Sequence, residues 1–365
     1  MVRKMQRTLI EELKPGVIIA KDIHNHDGVM LMPKGSVFSG VHLKHLENTG
    51  IKDVYTDDCE QEKHEAITHF QKNLLIDDVI CENTRIQAHK QIKKTMIRFN
   101  TIGKIQIGKI NLIVETILEQ LLSKRDIVLS LSRLRSIDNY TYEHSLNVCV
   151  LSLILGIDLN VDRHLLSVLG TGAIMHDVGK VVVSEDILKK PSKLTNAEFE
   201  EIKRHTEYGY ELLMNSDISE EAAGIALHHH EKYDGSGYNR NLIGDTIPLF
   251  SRIVAVADVY DAMSNDRVYK KKMPPDLVYR EIARLTGKHF DAAIIEKFFK
   301  HLSLYPIGIG VVLNTNHKGV VMSQNKYLPE SPVIRVFKKD MKDSKVIGVD
   351  IDLSQTKHLY IKETF

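Results

Sequence analysis

The spacing of apolar residues divides this chain into stretches of different period. Across residues 1–61, short apolar runs, "VIIA" (17–20) and "VMLM" (29–32), are separated by turn signals at Asp27-Gly28 and Pro33-Lys34-Gly35. That alternation predicts a small β-rich module. "VHLKHLENTG" (41–50) reads as a short helix with Gly50 as its C-cap. Residues 62–129 contain no proline and read as mostly helical, with a break near "NTIGKIQIGK" (100–109). Such a stretch could link, dimerise or signal. From 130 to 305 helix follows helix. Thr195 with Glu198 predicts a capping box. Ser219 before Glu220 and Glu221 predicts a helix start. Pro274-Pro275 ends one helix, and Asp276 begins the next. Over 306–365 the runs "GVVLNT", "GVVMS" and "PVIRVF" are short, β-branched and turn-bounded, so a β-rich extension is expected. The chain is therefore expected to be mainly α with β-rich ends, and no solenoid repeat is evident.

Composition narrows the classes. The 365 residues are 43% hydrophobic, enough for a sizeable core in two or three domains. Lys and Arg number 49 against 48 Asp and Glu, a net charge of +1 that argues against a general nucleic-acid or membrane-surface binder. Cys59, Cys81 and Cys149 are far apart and form no CxxC pair, which suggests a reducing cytoplasm. No apolar run approaches the ~18–20 residues of a membrane span, and the N-terminal stretch has no secretory h-region. A cytoplasmic location is expected.

The candidate chemistry lies in the helical region. In "GAIMHDVGK" (172–180) an imidazole and a carboxylate, His176 and Asp177, are adjacent. They can serve one metal, and the carboxylate can bridge two. The plainer reading is a polar helix C-cap, since His and Lys suit any last turn. Gly179 is expected to adopt a left-handed backbone that turns Lys180 toward the same site. Asp258 sits among Val, Ala and Ile in "RIVAVADVYDAMSNDRVY" (252–269). A buried carboxylate needs a metal or a cation such as Arg252. Asp261, three residues on, shares that face and suits orienting a ligand.

His144 and His205, each alone, fit a packed or surface histidine. "ALHHHEKYDGSGYN" (226–239) holds three histidines in a row. Successive helix residues turn by ~100°, so three cannot face one cavity. Two can, if the helix ends there and the chain loosens into "DGSGY". Seven of the 18 histidines fall between 144 and 230. With Asp177 and Asp258 they form a nitrogen and oxygen donor set without thiolate, suited to Fe, Mn, Zn or Ni and not to a structural zinc. Seven or so ligands are more than one open catalytic metal takes. Two ions roughly 3.5–4 Å apart, bridged by a carboxylate, would use them.

The ordered set "YTYEHSLNV", "HDVGK", "HHHEKYDGSGY" and "VADVYDAMSNDRVYKK" resembles the HD-GYP family of bacterial cyclic di-GMP phosphodiesterases, a branch of the HD phosphohydrolases. The resemblance covers about 130–305 and implies an HD-type all-helical catalytic domain there. "ELKPGVIIAKDI…GVMLMPKGS" resembles a domain found ahead of such domains and implies a regulatory role for 1–61.

Carried over by motif, the resemblance implies that His144, His176, Asp177 and Asp258 hold one divalent transition metal. Asp177, His205, His229 and His230 would hold a second, with Asp177 as the bridge. Fe or Mn is expected first, Ni or Zn next. Lys180 resembles the phosphate-contacting lysine, and Asp138, Arg267 and Lys270 resemble residues that contact the dinucleotide. His228 falls outside the family pattern. Some members hold a third metal with a Glu where this chain has Tyr140, so a two-metal site is expected. The GYP tripeptide reads Gly237-Tyr238-Asn239. Loss of the proline is expected to loosen that turn and to bear on partner contacts through the loop.

The activity implied is metal-dependent hydrolysis of cyclic di-GMP by a hydroxide bridging the two ions, with Asp177 and Lys180 at the reacting phosphate; the product is pGpG, and whether it goes on to GMP is left open by the sequence. A hydrolase of another cyclic dinucleotide or nucleotide and a catalytically weak cyclic di-GMP sensor are the alternatives.

Overall fold

The computed structural model describes residues 5–365 apart from 14–16, 40–41, 43–45, 47–48, 74–78, 103–104, 106, 124–139, 191, 266–272, 326–327, 340–345 and 357. The chain forms two compact units, one of Met1–Ile76 with Ile307–Phe365 and one of Asp77–Pro306.

The first unit holds the strands. β1 (Met5–Leu9) pairs antiparallel with β4 (Asp53–Asp57), and β2 (Ile23–His24) with β3 (Met30–Met32). Gly28 has φ of 79° at the Asp27-Gly28 turn, where a side chain would be strained. Ile19, Phe38, Leu46 and Val54 form a small core there. The predicted helix over 41–50 lies mostly outside the described residues. The helix Asp58–Asn73 packs Ile67 and Phe70 against Val320 and Phe337. Those two residues belong to a five-stranded antiparallel sheet that runs, in spatial order, Val346–Asp352, Val333–Lys339, Lys318–Ser323, Gly310–Leu313 and Ile361–Thr364. The β-branched runs of the C-terminal stretch therefore form strands.

The second unit is helical. At its centre lies the helix Tyr140–Asp158, whose Leu146, Val148, Leu151 and Leu155 are fully buried. A helix apolar on so many sides is stable only when neighbours surround it. Those neighbours are Glu82–Ile102, Ile107–Ser123, Arg163–Met175, Leu249–Ser264 and Ala292–His301. The stretch 77–123, read from sequence as part of a linker, therefore adds Ile80, Ile92, Ile110 and Val114 to this core. The caps at Thr195 and Ser219 follow the sequence signals, while the helix expected from Asp276 begins one residue earlier, because proline suits the first helical position. Thr195 Oγ1 accepts from the Glu198 amide at 3.2 Å while Glu198 Oε2 accepts from the Thr195 amide at 2.7 Å. Ser219 caps Glu220–His228, and Pro275 opens Pro275–Leu285. Among the described residues no helix is long and apolar enough to cross a membrane.

Candidate metal centre

Five helix ends and one helix face aim imidazoles and carboxylates at one place. The helix Arg163–Met175 ends in His176 as its C-cap, with Asp177 following. Next comes a tight 3-10 turn, Val178–Val181. Gly179 is not left-handed, as the sequence reading expected; its φ is not among the positive ones. The glycine is required by close packing instead, because a Cβ would stand 1.9 Å from the His205 carbonyl oxygen. His205 begins its own helix, and Glu220–His228 ends so that His229 is the C-cap and His230 lies in the turn beyond. The triplet is thus split by a helix end, which lets two neighbours face one cavity.

Four imidazoles are fixed in tautomer by what their Nδ1 atoms touch. A backbone carbonyl only accepts, so Nδ1 must carry the proton in His176 (to Ala173 O, 2.7 Å), His205 (to Ile202 O, 2.6 Å) and His229 (to Ala226 O, 3.0 Å). His144 Nδ1 meets Asp261 Oδ2 at 2.7 Å. His176, His205 and His229 therefore present a bare Nε2 to the cavity, the arrangement a metal-ligating histidine takes, while His144 turns its Nε2 to Asp258. Asp261 has the orienting place expected of it, and Asn147 and Asn265 donate to its other oxygen at 2.9 and 2.7 Å.

The donors fall into two groups, Asp177, His205, His229 and His230, and His144, His176 and Asp258, each with ligating atoms within 4.8 Å of one another. Asp177 reaches both groups. Its Oδ2 lies 3.4 Å from His176 Nε2 and 3.8 Å from His144 Nε2, while its Oδ1 lies 3.4 Å from His205 Nε2 and 3.8 Å from His229 Nε2. Asp258 Oδ1 is 3.2 Å from His144 Nε2, and its Oδ2 is 4.0 Å from His230 Nδ1. His176 Nε2 and Asp177 Oδ1 are buried without a hydrogen-bond partner. Orphaned polar atoms at this depth are costly, and a divalent cation is the partner that satisfies both. The donor set thus fits divalent metal ions.

Charge in the site is divided. Burial opposes ionisation of Asp177, but Lys180 and His176 hold its carboxyl well below the usual range. Burial likewise opposes ionisation of Asp258, and His144 overcomes it. Burial pushes His205 and His229 down, and His230 down to about 3, so these three imidazoles are neutral at pH 7.

Lys180 lies 2.5 Å from Asp177 Oδ2, beside a cavity of about 220 Å³ walled by Met96, Ile97, Tyr142, Val181, Val183 and Leu188. His228 stands apart from both groups, its Nδ1 4.0 Å from Glu231. Asp138, Arg267 and Lys270 lie outside the described residues, as does the side chain of Tyr140.

The Gly237-Tyr238-Asn239 turn, which lacks the proline, is anchored by side chains. Glu231, buried, accepts from the Arg240 and Leu242 amides at 2.5 and 3.1 Å. Asn239 Nδ2 donates to Thr206 Oγ1 at 3.2 Å, and the Tyr238 ring sits 4.8 Å from that of His230. Sequence reasoning passed over Glu231 and Thr206. Glu231 follows the histidines directly, and Thr206 follows His205, so adjacency to a ligand was the signal available.

Residues 118–294 match the HD domain family. The chain is 38% identical over 226 residues to a cyclic di-GMP phosphodiesterase of Pseudomonas aeruginosa, covering 62% of this chain and 54% of the relative. It is 40% identical over 165 residues to a cyclic di-GMP phosphodiesterase of Thermotoga maritima, covering 45% of each. It is 42% identical over 129 residues to a 3'3'-cGAMP-specific phosphodiesterase of Vibrio cholerae, covering 35% of this chain and 25% of the relative. The chain spans about half the length, or less, of these curated relatives.

Proposed function

We propose, from the match of residues 118–294 to the HD domain family and the similarity to cyclic di-GMP phosphodiesterases, that the chain is a metal-dependent phosphodiesterase that hydrolyses cyclic di-GMP to pGpG, with GMP as the alternative end product. The observation that carries this reading is the Asp177 carboxylate, which turns one oxygen to His176 and the other to His205. One ion would be held by His144, His176, Asp177 and Asp258, the other by Asp177, His205, His229 and His230. Bound there, divalent ions would supply Lewis acidity that acidifies water and neutralises charge on phosphoryl oxygens.

The chain's own groups do the rest. Neutral imidazoles leave the metal charge undiminished, while Asp177 and Asp258 bring anionic charge. Lys180 adds a point charge where a phosphate oxygen would approach, and Arg267, with its planar fork, would hold phosphate. Asp138 and Lys270 complete the dinucleotide contacts. The donor set has no thiolate, which suits Fe or Mn, with Ni or Zn as alternatives. In this reading 130–305, with the helices of 77–123 packed into its core, is the catalytic domain, 1–61 a regulatory module and the 237–239 loop a contact for partner proteins.

Anaerobic purification with metal analysis and a turnover assay tests the proposal. Asp177→Ala should lose turnover and bound metal together; wild-type activity in that variant would refute the mechanism. A substrate panel addresses the second reading, a preference for another cyclic dinucleotide, which the Vibrio cholerae relative's name favours.

A further inference from the structure

Arg85 lies in the helix Glu82–Ile102, ahead of the residues that match the HD domain, and is 5% exposed. Its Nη1 donates to Glu143 Oε1 at 2.6 Å and to Asn147 Oδ1 at 3.0 Å. Asn147 Nδ2 donates to Asp261 Oδ1 at 2.9 Å, and Asp261 Oδ2 meets His144 Nδ1 at 2.7 Å. The members Glu143, Asn147, Asp261 and His144 are all 5% exposed or less. A buried, unbroken chain of hydrogen bonds thus runs from a helix outside the HD domain to a candidate metal ligand.

The chain has a direction. A carboxamide can present either end, and a guanidinium only donates. Arg85 therefore fixes the Asn147 oxygen toward itself and the NH2 toward Asp261. Were the amide reversed, its oxygen would face the Asp261 carboxylate. Asp261, held on one oxygen by Asn147 and Asn265, keeps the other for the His144 Nδ1 proton, which turns Nε2 toward Asp258 and Asp177. We infer that Arg85 is a positioning residue for the metal centre, acting through Asn147 and Asp261 on His144. The flanking helix is then part of the site. The inference rests on the metal reading above, and the binding measurement below separates the two.

Removing Arg85 alone would strand the Glu143 carboxylate in the core, which is strongly destabilising. The test in the full chain therefore uses Arg85→Met with Glu143→Met, which removes the pair together, and separately Asn147→Ala, which cuts the chain at its next link and leaves the pair intact. Titration of chelated protein with Mn2+, followed by hydrolysis kinetics, should show affinity at one of two sites weakened by about 10–100-fold in each variant. The kcat should fall with KM held. Cutting both links at once should cost no more than cutting one. Wild-type affinity in either folded variant, or additive losses, would overturn the inference. Asn147→Ala decides alone if the paired variant does not fold. If the wild type itself binds no metal, the proposed function fails first.

Discussion

Gly179 and His205 meet backbone to backbone: a Cβ on Gly179 would stand 1.9 Å from the His205 carbonyl oxygen and 2.4 Å from the Gly209 amide nitrogen. Neither atom is the end of a flexible side chain, so one segment must move. Gly179→Ala should cost about 1–3 kcal/mol, the usual range for overpacking. It should also displace His205 from Asp177. Thermal melts and metal analysis check this, with a lowered midpoint and less bound metal expected. Full metal content in the variant would contradict the packing account.

The triplet offers an internal comparison. His229 is 1% exposed, with Nδ1 tied to Ala226 and Nε2 turned to Asp177, whereas His228 points to Glu231. His229→Ala should lose metal and turnover. His228→Ala should keep both and lose about 1 kcal/mol of stability, the centre of the range for point substitutions. Equal loss of metal in the two variants would mean that the helix end at His228 does not sort them.

Much of this was legible in the sequence because the signals are local. Thr195 and Glu198 cap as their spacing says, and the C-terminal β-branched runs pair as strands. The helix end that frees His229 and His230 follows from the glycine-rich stretch after it. The unread parts depend on what meets a residue from elsewhere in the chain. Gly179 looked like a C-cap because the approach of the His205 helix cannot be seen in "HDVGK". Arg85 carries no local signal because its partners, Glu143 and Asn147, lie 58 and 62 positions on. The anchor of the turn at Asn239, the Glu231 carboxylate, is a side chain and leaves no mark in the backbone pattern.

Acid should destabilise the metal-free protein. An unfolded imidazole titrates near 6.5. Burial holds His205, His229 and His230 below that, His230 at about 3. Groups lowered on folding give stability that is complete above ~6.5 and is lost as pH falls, since the unfolded chain takes protons that the folded one refuses. His144 has the opposite sign. Burial lowers it, but hydrogen bonds to Asp258 and Asp261 raise it to about 9, so its contribution is present below ~6.5 and fades as pH rises toward 9. Melts of chelator-treated protein should therefore peak near neutrality and fall more steeply on the acid side. Bound metal competes with the protons and should oppose that fall. An unchanged midpoint between about pH 7 and 5 would contradict the assignment of neutral ligands.

The loop after the histidines should be separable from the metals. Glu231 takes two amide protons, from Arg240 and Leu242, into its buried carboxylate, and Tyr238 lies against His230 between these anchors. Glu231→Ala leaves both amides unpaired, at about 1–3 kcal/mol each where they stay dry. It should free Tyr238 while the ligands, held by their own helix ends, remain. Metal content should persist while KM for the cyclic dinucleotide rises. Asn239→Pro removes only the bond to Thr206, worth about 0.5–1.5 kcal/mol, and should leave the kinetics as they are. If instead Asn239→Pro alters KM and Glu231→Ala does not, the proline position sets the loop and the carboxylate does not. If metal is lost with Glu231→Ala, the loop belongs to the metal frame itself.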